Sequence, residues 1–356
     1  MSVWVIMVGC AGGAATQEAP VRAEDGSEVV RAQAMNEGPD SEDTLTDADL
    51  EAAIQPYDEG RYADAIVALQ ALAIDEAKPL PVRREALQYL GRAHLARNEM
   101  ERVREALHAL LELEPPLVEL NPDIEPPPLM RLYYEVRRDV KDSYEVEGGA
   151  PGLQTLAILD FNNSSVDAFE RFAPLQQGLA SMMINHMSGA TGLRVVERER
   201  LRWLLDELEL QQDTVRVDQA TAVRSGQLLG AHAVLFGSFT VHQDQMWMSG
   251  RVVEVETGAI LLAEQVRGAR DNFYGLVEEL SQKVAGAIDA TLDAATLEQR
   301  RETQSLQAMM AYAEGLALVE REAYAEAYER FQQALAHDPD YTRAAVRAAS
   351  LRPLLS

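Results

Sequence analysis

Between Asp47 and Ser143 apolar residues recur every three or four positions, the spacing that lines one face of an α-helix. Leu50, Ala53 and Ile54 follow an N-cap at Thr46 or Asp47. The stretch Tyr57 to Ala65 reads as a helix end, a turn at Gly60 and a new helix striped by Ile66, Leu69 and Leu72. A second helical pair starts with Leu87, Leu90 and Gly91 and returns through Leu107 and Leu110 to Pro115, and a further helix is predicted over 128–141. Pro115-Pro116 and Pro126-Pro127-Pro128 forbid helix and predict a rigid loop between these elements.

Gly148 to Gly152 is the clearest boundary in the chain, and the period changes beyond it. Thr155 to Phe161 is an apolar run of strand length, followed by the turn cluster Asn162 to Ser165. An amphipathic helix is predicted over 172–188, a strand over 193–196, helices over 197–210 and 218–229, and a strand over 231–239. Met246, Met248, Gly250 and Val252 alternate with polar residues, Thr257-Gly258 makes the turn, and Ile260 to Val266 returns as a hairpin. One long helix is predicted over 272–296. The fold class that follows is an α/β domain with a mixed sheet, flanked by all-α segments. Helical spacing resumes at Ala311 to Leu318, again from Tyr324 to Pro339, and over 341–351.

Charge narrows the function classes. The formal net charge of −26 is the wrong sign for a nucleic-acid binder, which needs Lys and Arg to displace phosphate counterions, and no nucleic-acid partner is expected. The single cysteine excludes an internal disulfide, and the scattered histidines lack the i, i+4 spacing of a helical metal site. No phosphate loop or dinucleotide fingerprint follows a strand. No catalytic residue, cofactor or metal is therefore expected. Asp160 ends a strand, a common place for a ligand, but reads most simply as a turn residue. His232 reads as a satisfied core or edge histidine, and Glu197-Arg198-Glu199-Arg200 as a solvated helix start.

The apolar run Val3 to Val8, then Gly9 and Cys10, resembles a bacterial lipobox. Met7 stands where leucine is usual and no Lys or Arg precedes the run, so the expectation is a truncated signal over 1–10 with the start codon upstream. The resemblance implies a lipid on Cys10, and Ala11 behind it implies sorting to the periplasmic face of the outer membrane. Residues 11–45 carry eight acids against Arg22 and Arg31, and are expected to form a self-repelling linker with a reach of roughly 30–35 Å.

The helical pairs over 46–147 resemble the tetratricopeptide (TPR) pattern, in which two antiparallel helices pack with a small residue at their closest approach, here Gly91 against its own hairpin partner. The match is closest over 305–352, where Gly315, Ala327, Phe331, Ala334 and Pro339 fall at TPR-like spacings. One such hairpin is unstable alone, so it is expected to pack on the α/β domain, on the first helical block or on another subunit. The blocks Leu156 to Phe161, Gly192 to Arg198, Leu229 to Ser238 and Val253 to Ile260 look like the CsgG family, over about 152–297. That family includes the curli-secretion lipoprotein and relatives with FlgO-type and TolB N-terminal-type domains.

These resemblances imply a lipid-anchored periplasmic adaptor or scaffold in envelope assembly or protein secretion. It would not be an enzyme, and it would bind protein partners through its helices. Two alternatives stand beside this reading. One is a homo-oligomeric CsgG-type channel subunit, which needs membrane-spanning strand pairs of about 9–11 residues each beyond the Met246–Val266 hairpin that the core sheet uses. The other is a small-molecule-binding domain, which needs a convergent polar pocket.

Overall fold

In the computed structural model, residues 48–113, 120–142, 153–166, 168–196, 198–207 and 218–355 are described. Cys10, the linker 11–45 and the glycine boundary 148–152 lie outside them. Among the described residues five helices come first: α1 (Ala48–Asp58), α2 (Tyr62–Ile74), α3 (Leu80–Ala96), α4 (Met100–Glu112) and α5 (Pro127–Lys141). Gly60, at φ 75°, makes the turn between α1 and α2 in a left-handed conformation that suits glycine. The apolar stripes meet in one cluster built from Leu50, Ile54, Leu69, Leu87, Leu107, Leu110 and Tyr133. Pro126 and Pro127 start α5 rather than excluding it, because proline fits the first helical turn.

The central sheet is made of β1 (Gln154–Ile158), β2 (Asn162–Asn163), β3 (Leu193–Val195), β4 (Ala233–His242), β5 (Gln245–Glu254) and β6 (Ile260–Ala269). Its order is β3-β1-β4-β5-β6, with β2 on the side of β4. β1 runs parallel to β3 and β4, while β4, β5 and β6 form an antiparallel meander. β4 extends three residues past the predicted end at Phe239, because Gln243 at φ 52° allows a tight turn into β5.

One sheet face carries Leu156, Ile158, Leu235, Phe239, Met248 and Val252, and is covered by α7 (Leu175–Met187) and α10 (Phe273–Ala287). The other carries Ala157, Leu159, Val234, Phe236 and Val253, and is covered near β1 by α8 (Arg198–Glu207) and α9 (Gln219–Leu229). Asp218 caps α9, its side chain accepting from Thr221 N.

Two predicted helices break. The helix expected over 172–188 becomes a single turn, α6 (Phe169–Phe172), then α7 after Pro174, since proline cannot continue a helix but can open one. The helix expected over 272–296 stops at Ala287. Asp289 turns left-handed at φ 54°, Thr291 bridges to Thr191, and Asp293 caps the short α11 (Ala294–Gln299) through Thr296 N at 2.7 Å.

The C-terminal helices are α12 (Leu306–Glu320), α13 (Tyr324–His337) and α14 (Thr342–Leu351). They do not stand apart. Met309, Tyr312, Phe331 and Tyr341 share the core of α7 and α10, and α12 crosses α7 where Gly178 meets Ala313 and Met309. Behind α14, Leu354 packs on the first helical block. The hairpin thus buries its apolar face against the α/β domain, and the segment behind α14 meets the first helical block.

His186 of α7 lies fully inside this core, its ring edge-on to Tyr274. Ser281 Oγ donates to Val277 O, so the His186 Nδ1–H donates to Ser281 Oγ at 3.3 Å. Burial lowers its pKa from the usual 6.5 to about 4. Because the folded value lies below the unfolded one, the unfolded chain binds the extra proton, and stability falls as pH drops from 6.5 toward 4. His186→Asn cannot titrate. The unfolding free-energy difference between wild type and this variant should shrink by about 3 kcal/mol from pH 7 to pH 4, as read by urea titration.

Candidate functional site

β1 delivers Leu159 and Asp160 to the carboxyl edge of the parallel strands, where open α/β sheets hold ligands. Here that edge is filled by charge pairs. Arg198 Nε donates to Asp160 Oδ1 at 3.1 Å and Nη2 to Oδ2 at 3.3 Å. Arg202, one turn along α8, lies 3.8 Å from Asp160 and 3.0 Å from Glu320. Glu320, the last residue of α12, also accepts from Arg198, and Gln177 of α7 donates to it at 2.5 Å. Two carboxylates face two guanidiniums, and the cluster ties the α/β domain to the C-terminal hairpin.

The Glu197–Arg200 run is therefore not a solvated helix start: Arg198 and Arg200 are buried. Arg198 tolerates burial because Asp160 and Glu320 neutralise it. His232 is exposed at the entry to β4, where its Nδ1 accepts from Thr155 N at 3.2 Å, so it is a satisfied edge residue rather than a core one.

The residues at TPR-like spacing lie away from this charged cluster. Gly315 sits on α12 against α13, where an added Cβ would lie 2.5 Å from the Phe331 ring. Ala327, Phe331 and Ala334 are fully buried on α13, while Pro339 is exposed in the turn before α14. Gly91 of α3 faces Leu129 of α5, 3.3 Å from the position of a Cβ, rather than its hairpin partner α4.

A second charged junction lies where three parts of the chain converge. Arg343 of α14 donates to Glu302 at 2.8 Å, to the Ser181 carbonyl of α7 at 3.2 Å and to Asp123 at 3.3 Å. Arg347, one turn on, donates to the Pro122 carbonyl at 2.6 Å. Burial opposes the charge on Arg343, but Asp123, Tyr312 and Glu302 outweigh it and raise its pKa. Burial likewise opposes ionisation of Asp123, and Arg343 with Arg347 lowers its pKa nonetheless. Sequence reading passed over both clusters. The available signal was Arg198/Arg202 and Arg343/Arg347, each an i, i+4 pair that puts two guanidiniums on one helix face.

Surface depressions lie elsewhere. One of about 370 Å³ is open and lined by Leu318, Glu326, Glu329, Arg330 and Gln333 on the C-terminal hairpin. Another of about 110 Å³ lies between Tyr57, Tyr62, Tyr89, Arg92, Pro126 and Pro353, and is smaller than small-molecule sites of roughly 300–1,000 Å³. Arg92 at its base forms a buried bidentate pair with Glu125 at 2.6 and 2.7 Å. Among the described residues no three His, Cys, Asp or Glu side chains group as metal ligands, and no helix is long and apolar enough to cross a membrane.

If the Asp160–Glu320 cluster clamps the hairpin, Glu320→Ala removes one of the two carboxylates that neutralise the buried Arg198 and destabilises the chain by about 3 kcal/mol. Adding Arg198→Met should recover much of that loss. A double-mutant cycle by denaturant titration checks the coupling, and additive effects would rule out the clamp.

With the geometry in hand, comparison with known proteins places the central region. The family model described as curli production assembly/transport component CsgG matches residues 144–250, from ahead of β1 to the middle of β5. No curated protein matches the chain. Solved structures that the chain matches include the LpoB C-terminal domain from Escherichia coli, at 15% identity, covering 34% of this chain and 87% of that chain, with a TM-score of 0.26. Lipoprotein GNA1162 from Neisseria meningitidis is 15% identical over 37% of this chain and 96% of that chain, with a TM-score of 0.27. A PelC dodecamer from Paraburkholderia phytofirmans is 14% identical over 41% and 96% of the two chains, with a TM-score of 0.25. Residues 144–250 are a CsgG-like domain set between helical segments.

Proposed function

We propose that this chain is a lipid-anchored scaffold of the bacterial envelope, not an enzyme, that binds other proteins through its first helical block. The observation that carries the binding role is on α2. Ala65, Leu69, Leu72 and Ala73 bury one face of that helix, while Ala63, Val67, Ala71 and Ile74 form an exposed stripe on another. Val67 and Ile74 are each 72% exposed, two β-branched residues seven apart on the same side of a helix. A helix that is apolar on two faces serves a second partner besides its own core.

The CsgG match supports an envelope role, since that family's description concerns assembly and transport. Gly9-Cys10 behind an apolar run supports attachment by lipid. The ion-paired state of Asp160 supports a non-catalytic strand end. The channel alternative has less support: β5 and β6 are both spent in the core sheet, and no other antiparallel strand pair beyond β4–β5–β6 occurs among the described residues.

Two measurements test the reading. A photo-crosslinker at Val67 in the native host should yield a discrete protein adduct, and Ile74→Lys in the same chain should reduce it at least tenfold without lowering the thermal midpoint. An adduct that Ile74→Lys leaves unchanged removes the binding role from α2. Cys10→Ala, made in the gene with its full upstream region, should move the protein out of the membrane fraction, and unchanged fractionation rejects the anchor.

A further inference from the structure

Among the described residues α9 covers the second sheet face only at one end, where Gly226 meets Val234 and Val255. Beyond Phe236 the three antiparallel strands present an open grid with clean register. Ser238, Ser249 and Gln265 stand side by side in one row, and Thr240, Trp247 and Arg267 in the next. Arg251 stands beside Phe236 at the covered end of the same face. Gln265 donates to Ser249 Oγ at 3.1 Å, which fixes two members of the grid. Trp247 is partly exposed, while Arg251, Gln265 and Arg267 are exposed.

Two features set this face apart. In a chain of net charge −26, none of the rows from Phe236 to His242 contains a carboxylate on this side. The side chains of its two arginines, Arg251 and Arg267, make no ion pair or hydrogen bond with another described residue. The other face of the same hairpin is different: Glu264 points there and pairs with Lys283 of α10 at 3.4 Å.

We propose that this face binds an acidic polysaccharide. The C–H face of one uronic-acid ring stacks on the Trp247 indole, whose flat surface is apolar while its rim can hydrogen-bond. Arg267, directly opposite Trp247 across the strand pair, takes that ring's carboxylate with its guanidinium fork. Ser249, Gln265 and Thr240 supply the donors and acceptors that sugar hydroxyls need. Arg251, about 14 Å away by strand spacing and rise, takes a carboxylate further along the polymer. A protein partner fits less well, because interface cores are depleted in charge and built on apolar anchors, and Trp247 is the one large apolar side chain exposed in these rows. The net negative charge does not forbid an anionic ligand here, since a Debye length of about 8 Å at physiological salt screens remote carboxylates.

Affinity electrophoresis of the full chain in gels containing polygalacturonate, neutral dextran or poly-L-glutamate tests this. Polygalacturonate should retard the protein, with dextran and poly-L-glutamate at least tenfold weaker. Trp247→Ala should reduce retardation at least tenfold, and Arg267→Gln and Arg251→Gln about fivefold each. Both arginine variants replace exposed side chains, so their thermal midpoints should match wild type and their loss of binding stands apart from misfolding. No retardation by polygalacturonate overturns the proposal. So does equal retardation by poly-L-glutamate, which means a generic cationic patch, or equal retardation by dextran, which removes the role of the arginines.

Discussion

The Arg343 side chain keeps only 15% of its surface in contact with water, so most of its charge must be met from within. Asp123 comes from the loop before α5, Glu302 from the segment ahead of α12, and the Ser181 carbonyl from the middle of α7. A buried guanidinium with one of these partners missing would cost several kcal/mol, so the three segments are held to one arrangement. Arg347 extends the lock to the Pro122 carbonyl. A helical block, a sheet domain and a C-terminal hairpin, each with its own apolar stripe, become one body at this junction. The Arg198–Asp160–Glu320 cluster repeats the solution at the other end of α12.

Charge also explains why the strand end is quiet. Open α/β sheets commonly hold ligands outside the carboxyl ends of their parallel strands. In this chain Asp160 is spent on Arg198 and Arg202, and Glu320 closes the edge from outside. What the molecule offers to others has moved to its margins: the exposed stripe of α2, and the uncovered half of the β4–β5–β6 face.

The sequence made local order legible and left distant pairing hidden. Period-two alternation from Met246 to Val266 identified the hairpin because each residue's environment depends on its immediate strand neighbours. The apolar runs at β1 and β4 were readable for the same reason. Arg198 was misread because nothing within its own helix reveals that Asp160, 38 residues back, and Glu320, 122 residues on, will surround it. Gly91 was assigned to its hairpin partner because a repeat pattern assumes packing in sequence order, whereas Leu129 reaches it from α5. The break at Asp289 could have been read: an acid that ends one helix and Asp293 that caps another both lay in plain view.

The Asp123–Arg343 contact joins residues 220 apart in the chain. Ribosomes add about 5–20 residues per second. The nascent first block therefore waits on the order of ten seconds or more, with its Asp123 loop unmet, before α14 exists to close it. During that interval the block must persist on its own stripe alone, and any event that stops synthesis short of α14 leaves three half-finished surfaces rather than a shorter version of the same protein.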